Sequence, residues 1–555
     1  MIHDLYAAYK LICQQLDLVP VPADLFQKTE NSLPEFEVLL LPSAPQTWVG
    51  LRADERDGCR KCAEAVGKFL EFFYPGSSEE IFTQSSATRL ISALHKHNDT
   101  SIALTNFYAS QNWSVFTPVA LCDSCSHTAN PPWSLHGPAH SDIGDSIFDS
   151  NTGGTRSSHP MGFVQANRWA IGFASILGNP APVSGLETVA LVNAPVRTNY
   201  DPAQCETSGG KGFSPEQALA SCVGEGIERY ALCGLARNAG IIKAECNMHT
   251  AANLIRDFGL PAADTNRSIS EYTPALPIEW TPWVSLRLGE DRYLPANFAY
   301  CPYNPPEGAF SITVGSTNGA ASGATETDAI KQGLLEVIER DAFWYYTRTT
   351  HPAEPVPHEA LPPQVAYVMD SIDAQFFTTL LPNPFGVPVV NISAVCGSSY
   401  KTRTARGTGA TSFLEKSIMR AFSECIQMIY SLDSGIAVTK TPSDMRYLWY
   451  SGLAETTFPN LFCRQQSSPE HLFSLKREEE DLSLEDLVNL AHRQGLEVYS
   501  QILAKSPHVS VVKVVLSHIA VSDSTYFKNG IRLAHFASLQ GHSTPVITYS
   551  DSLFM

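Results

Sequence analysis

A chain of 555 residues is too long for one hydrophobic core, since single cores stop growing near ~250–300 residues, so two or three domains are expected. Apolar residues make up 44% and charged residues 17%, which excludes a disordered chain. The formal net charge of −18 argues against a general nucleic-acid surface, which needs a Lys/Arg footprint, and no nucleic-acid partner is expected.

The opening stretch, MIHDLYAAYKLICQQLDL, has acidic and polar residues where a signal peptide needs a basic region and an unbroken apolar core. Ile2, Leu5, Tyr9, Ile12 and Leu16 fall at helical spacing instead and predict an amphipathic helix packed on its own domain. FEVLLLPSA then reads as a buried strand and AEAVGKFLEFF as a helix. The stretch NPPWSLHGPAHSDIGDSIFDSNTGGTRSSHP is dense in Pro, Gly, Ser and Asp with no hydrophobic period, and marks a domain boundary. The chain is therefore divided into 1–130, a linker at 131–160 and a domain at 161–555.

Beyond the boundary, ETVALVNAPV, PVVNISAV and HVSVVKVVLSHI read as strands. They alternate with helices at PEQALASCVGEGIERYALCGLA, ETDAIKQGLLEVIERDAFWYY and LEKSIMRAFSECIQMIYSL. This is a mixed α/β (α+β) pattern of sheet and helix layers. HPAEPVPHEALPP, from His351 to Pro363, reads as a loop inserted within the domain. No apolar run reaches the ~18–20 residues that cross a bilayer, and the best, VSVVKVVLSHIAV, is broken by Lys513 and His518. A soluble, cytoplasmic protein without a membrane partner is expected.

The 13 cysteines are an odd number for a disulfide framework, and most read as small buried hydrophobes. Cys59-Arg-Lys-Cys62 and Cys122-Asp-Ser-Cys125 differ, because each C-x-x-C presents two thiolates and the two together supply the four sulfurs of a structural Zn²⁺ site. Four thiolates leave no open position, so such an ion holds a small α/β domain together rather than catalysing. Unrelated cysteines or a redox pair are the competing explanation.

On the first helix of the large domain Ser221, Glu225 and Glu228 lie within about 60° of one another. Asp328, Gln332, Glu336 and Glu339 form a comparable stripe on the second, and Arg420, Glu424 and Gln427 share a face of the third. Glutamates three apart repel, so something positive should lie between them. Arg229 and Arg340 offer an internal salt-bridge explanation, which the recurrence on three helices weakens. Each helix follows a Gly-rich stretch: SGGKGFS, TNGAASG and ARGTG. Read as turns, these let backbone N–H groups approach an anion at a helix N-terminus. With Lys211 and Arg406 they describe a site for Mg²⁺ and a polyphosphate.

GGKGFSPEQALASCVGEGIERY, STNGAASGATETDAIKQGLLEVIERDAFW and ARGTGATSFLEKSIMRAFSECIQ resemble, in order, the signature blocks of YcaO-domain proteins, from about Gly153 onward. The resemblance implies an ATP- and Mg²⁺-dependent enzyme that activates peptide-backbone amides. Its magnesium or nucleotide residues would be Glu225, Glu228, Glu336, Glu339 and Glu424, with Glu225, Glu228, Arg420 and Glu424 nearest the chemistry. Phosphate or nucleotide contacts would come from Lys211, Ser221, Arg420 and Gln427, and also from Asn318 and Arg406. VGLRADERDGCRKC is similar to the zinc-bearing part of the E1-like scaffold that partners YcaO enzymes in azoline biosynthesis.

The implied reaction is cyclodehydration of a ribosomally made precursor peptide at Cys, Ser or Thr. Implied partners are that peptide, a separate leader-peptide-binding E1-like scaffold and a flavin-dependent azoline dehydrogenase, with the enzyme itself a homodimer. A thioamide- or amidine-forming member of the family, or a non-catalytic ATP-binding docking scaffold, are the alternatives. One departure is at the end, HSTPVITYSDSLFM, where Pro545 is the sole proline although azoline-forming members usually carry a proline-rich tail.

Overall fold

A computed structural model describes the backbone of five strands between residues 31 and 115, together with residues 62, 65, 69, 72 and 119–122. From 159 to 543 it describes all but 173–174, 184–188, 235–241, most of 246–274, 434–444, 464–480 and 520–529. The predicted opening helix, nearly all of the linker and the segment from 544 on lie outside the described residues.

In the N-terminal part, β1 (Asn31–Ser32), β2 (Glu37–Ser43), β3 (Gln46–Arg52), β4 (Ala103–Asn106) and β5 (Trp113–Val115) pair antiparallel in sequence order. The strand predicted at FEVLLLPSA is β2. Residues 65, 69 and 72 are helical, as expected of the AEAVGKFLEFF stretch, and so is residue 62 just before it.

The large domain opens with α1 (Pro160–Ala166) and a three-stranded antiparallel sheet of β6 (Ala181–Pro182), β7 (Ala190–Pro195) and β8 (Thr207–Gly212), which leads into α2 (Pro215–Leu232). Next come β9 (Ile242–Glu245), β10 (Pro277–Ser285), β11 (Asp291–Pro295) and β12 (Ala320–Gly323), the last leading into α3 (Glu326–Arg348). A four-stranded antiparallel sheet follows, of β13 (Glu354–Pro355), β14 (Ala374–Leu380), β15 (Val389–Cys396) and β16 (Thr404–Ala410), with α4 (Pro363–Ser371) between its first two strands. β16 leads into α5 (Leu414–Asp433), beyond which lie α6 (Met445–Ser451), α7 (Leu453–Thr457) and α8 (Leu484–Arg493). Finally β17 (Val498–Ser506) and β18 (Val509–Leu516) return to complete the sheet β11-β10-β17-β18-β12, before α9 (Gly530–Leu539).

The three predicted helices are α2, α3 and α5, and the three predicted strands are β7, β15 and β18. Helix starts follow local chemistry. Ser214 Oγ accepts the Gln217 N–H at 3.2 Å with Pro215 in the first turn, and Thr325 Oγ1 accepts the Asp328 N–H at 3.2 Å. Apolar burial then fixes the helices in place. Leu334, Leu335 and Ile338 of α3 are fully enclosed, and each such side chain contributes about 1.5–3 kcal/mol.

Two expectations are corrected. The stretch 351–363 is more than a loop, because Glu354 and Pro355 pair with Leu380 and Thr379 as an edge strand, where proline is tolerated. The Gly-rich stretches are mostly strands rather than turns: SGGKG lies within β8, AASG forms β12 and ARGTG lies within β16, while Asn318 and Gly319 ahead of β12 do form a turn. Their glycines serve helix-on-strand packing. A Cβ at Gly210 would stand 1.8 Å from the Ala218 carbonyl oxygen, and one at Gly407 would stand 2.1 Å from that of Ala421.

The same strand–helix unit therefore occurs three times, as β8–α2, β12–α3 and β16–α5. Each helix packs on its own strand and also on the next unit's: α2 on β12, α3 on β16 and α5 back on β8. The units close into a ring, which brings their polar stripes together.

Candidate functional site

The first and third units meet through Lys211. Its Nζ, on β8, lies 3.4 Å from Glu424 Oε2 and donates to Gln427 Oε1 at 3.1 Å, both on α5. Gln427 Nε2 donates in turn to the Gly209 carbonyl oxygen at 3.0 Å. Burial alone would raise the Glu424 carboxyl, but Lys211, Arg340 and Arg406 outweigh it and hold its pKa below the ordinary value.

The second unit carries its own cation. Arg340 Nη2 donates to Glu336 Oε1 at 3.4 Å, and Arg340 Nη1 lies 3.6 Å from Glu339 Oε1. Glu336 Oε2 accepts the Gly319 N–H at 3.2 Å, so the backbone ahead of β12 also holds this carboxylate. The third helix reaches the second through Arg420, whose Nη1 donates to Gln332 Oε1 at 2.9 Å. Arg406 on β16 sits with its guanidinium 4.4 Å from the Phe343 ring centroid and 5.7 Å from that of Trp449.

On α2, Arg229 Nε donates to Glu225 Oε1 at 2.8 Å and its Nη1 to Glu206 Oε2 at 2.7 Å. The salt-bridge explanation of the Glu-x-x-Glu-Arg sequences is thus realised for Glu225, Glu336 and Glu339. Glu228 is different. Burial first, then the neighbouring Glu336 and Glu225, push its pKa well above the ordinary carboxylate value against the pull of Arg229 and Lys513. Burial likewise raises Glu336. Glu228 of α2 thus feels the charge of Glu336 on α3 as well as that of Glu225 on its own helix.

Sequence reasoning missed Lys513. It lies on β18, fully buried, and its Nζ donates to the Ser316 carbonyl oxygen. Burial pushes its ammonium down to about 8, against the opposing influence of Cys301, Glu336 and Glu228. The available signal was a lysine in the apolar run VSVVKVVL, noted above only as an interruption of a possible span.

Ser221 lies on α2 one turn before Glu225, half-buried. Asn318, also half-buried, lines a small pocket with Arg340, Trp344 and Val514. Among the described residues no three His, Cys, Asp or Glu side chains form a ready-made metal site. Of the four N-terminal cysteines, Cys59 and Cys125 lie outside the described residues. Cys62 and Cys122 are buried. The Cys62 Sγ accepts the Val119 N–H at 3.2 Å, and the Cys122 Sγ accepts the Tyr200 O–H at 2.5 Å. Sulfurs that accept hydrogen bonds suit thiolate ligands. Among the described residues no helix is long and apolar enough to cross a membrane.

Three strand–helix units closing on a cluster of carboxylates, lysines and arginines define a protein whose site is suited to an anion carrying divalent cations. The chain belongs to the YcaO family: the model of the YcaO cyclodehydratase, ATP- and Mg²⁺-binding, matches residues 209–519. In fold, the chain is similar to a heterocyclase solved in complex with substrate and cofactor, with a TM-score of 0.70 and 19% identity, over 94% of this chain and 78% of that one. It is also similar to the heterocyclase TruD, with a TM-score of 0.54 and 17% identity, over 87% and 70% of the two chains. A curated protein of Methanothermobacter thermautotrophicus, itself uncharacterized, is 36% identical over 136 residues, 24% of this chain and 32% of that protein. The chain thus spans about a third of the length of the curated relative it matches.

Proposed function

We propose that this chain uses Mg–ATP to form thiazoline or oxazoline rings from Cys, Ser or Thr of a ribosomally made precursor peptide. The observation that carries this reading is the convergence of Glu228, Glu336 and Glu424 with Lys211, Arg340 and Lys513 from all three units and β18. The donor set fits magnesium, which is ordinarily held by one or two carboxylates plus phosphate oxygens rather than by an all-protein cage. Glu225, Glu228, Glu336, Glu339 and Glu424 would hold it, and when bound it would supply positive charge that offsets the phosphates.

The peptide's own thiol or hydroxyl adds to the preceding amide carbonyl. The nucleophile gives up its proton, the resulting oxyanion takes the γ-phosphoryl of ATP with release of ADP, and loss of phosphate together with the amide N–H proton leaves the C=N bond of the ring. The protein contributes placement and charge: Lys211, Arg406 and Arg420 offset the phosphates, while Ser221, Asn318 and Gln427 supply neutral polar contacts. A separate E1-like scaffold would present the leader peptide, and a flavin-dependent dehydrogenase would act afterwards on the rings. Mass spectrometry of a candidate precursor peptide incubated with this protein, the scaffold partner and Mg–ATP tests the reading. The expected result is mass loss in steps of one water with matching release of ADP and phosphate. Exchange of oxygen for sulfur, or an unaltered peptide beside intact ATP, overturns it.

Cys59, Cys62, Cys122 and Cys125 are proposed to hold one structural zinc. Elemental analysis is expected to find about one zinc per chain, and removing it is expected to lower the melting temperature. Metal-free protein that melts as before counts against the site.

A further inference from the structure

We propose that Thr408 is a positioning residue that sets the Glu339 carboxylate for metal and nucleotide. The inference rests on the reading of the acidic cluster as a Mg–ATP site. Thr408 lies on β16 at 2% exposure, between the two glycines over which α5 packs, so it has little room to change rotamer. Its Oγ1 lies 2.5 Å from Glu339 Oε1 and 3.4 Å from Arg340 Nη1.

The direction of these bonds follows from chemistry. A guanidinium can only donate and a carboxylate can only accept, so the Thr408 hydroxyl accepts from Arg340 and gives its one proton to Glu339. Glu339 Oε1 is then held from two sides, by Thr408 and by Arg340. Glu339 Oε2 receives no hydrogen bond among the described residues and is the oxygen left for an ion. One hydroxyl of the third unit thereby fixes the orientation of a carboxylate of the second. Groups that orient metal ligands in this way typically change metal affinity 10–100-fold when removed.

The test is calorimetric titration of Mg²⁺ into the protein in the presence of the non-hydrolysable nucleotide AMPPNP, with no turnover required. Thr408→Val keeps the shape and loses the hydroxyl, Thr408→Ala loses both, and Thr408→Ser keeps the hydroxyl. Expected are Mg²⁺ affinities about 10–100-fold weaker for the Val and Ala variants and near wild type for Ser. A folded Val or Ala variant that binds Mg²⁺ as tightly as wild type overturns the role of Thr408 alone. Failure of the wild-type protein to bind Mg²⁺ with AMPPNP overturns the nucleotide-site reading and this inference with it.

Discussion

Glu228→Gln is expected to give a protein that is more heat-stable without ligand and nearly inert with Mg–ATP. In the metal-free state Glu228 is pressed by burial and by two other carboxylates, so its neutral isostere relieves repulsion. The sign with pH follows. Folding raises this carboxyl above its usual 4.5, so the stability contributed by its protonated form is present below that value and is lost as pH rises through the raised one. The melting temperature of metal-free wild type should fall across that window, and the Gln variant should flatten the curve. The same charge is needed when cations are present, and its loss should lower peptide processing by about 10²–10³-fold, the scale seen when one preorganised electrostatic contact is removed. Unchanged ring formation in the presence of the partner would remove Glu228 from the chemistry.

The second large effect is on the fold. Arg340 is the shared partner of Glu336, Glu339 and the Thr408 hydroxyl, and Glu424 also stabilises its charge. Arg340→Met keeps much of the volume and leaves the buried Glu339 without its ion-pair partner, and the part-buried Glu336 with only Lys513 among the described residues to offset it. Breaking an enclosed pair on one side costs about 3–5 kcal/mol, far more than an exposed pair. Urea unfolding of the metal-free variant should show a loss of that size, and added Mg²⁺ should recover more stability in the variant than in wild type. A loss below about 1 kcal/mol would mean that solvent, not Arg340, balances these carboxylates.

The long helices α2, α3 and α5 and the strands β7, β15 and β18 were legible because their apolar patterns are long, whereas the shorter elements carry too few residues to show a period. The Glu stripes were legible because each repeats at i, i+3 or i+4 on one helix. The Gly-rich stretches of β8 and β16 were misread for a physical reason. Composition signals a turn, while the actual demand on Gly210 and Gly407 is the close approach of a helix backbone, which only the folded pair reveals. Lys513 was overlooked because local pattern assigns it to an apolar strand, and its partners lie on β12's approach and on two distant helices. Glu354 and Pro355 looked like loop because an edge strand of two residues has no period to read.

The ring of three units also has a consequence for synthesis. Lys211 meets its Glu424 partner across 213 residues of chain, and Lys513 meets Ser316 across 197. At ~5–20 residues per second on the ribosome, roughly 15–60 s separate the emergence of Glu228 from that of Lys513. Through that interval the nascent chain carries the like charges of α2 and α3 without the ammonium that moderates them. Nucleotide affinity of the proposed site is therefore expected only of the finished domain, and a chain truncated before β18 would keep every proposed carboxylate ligand and still lack Lys513.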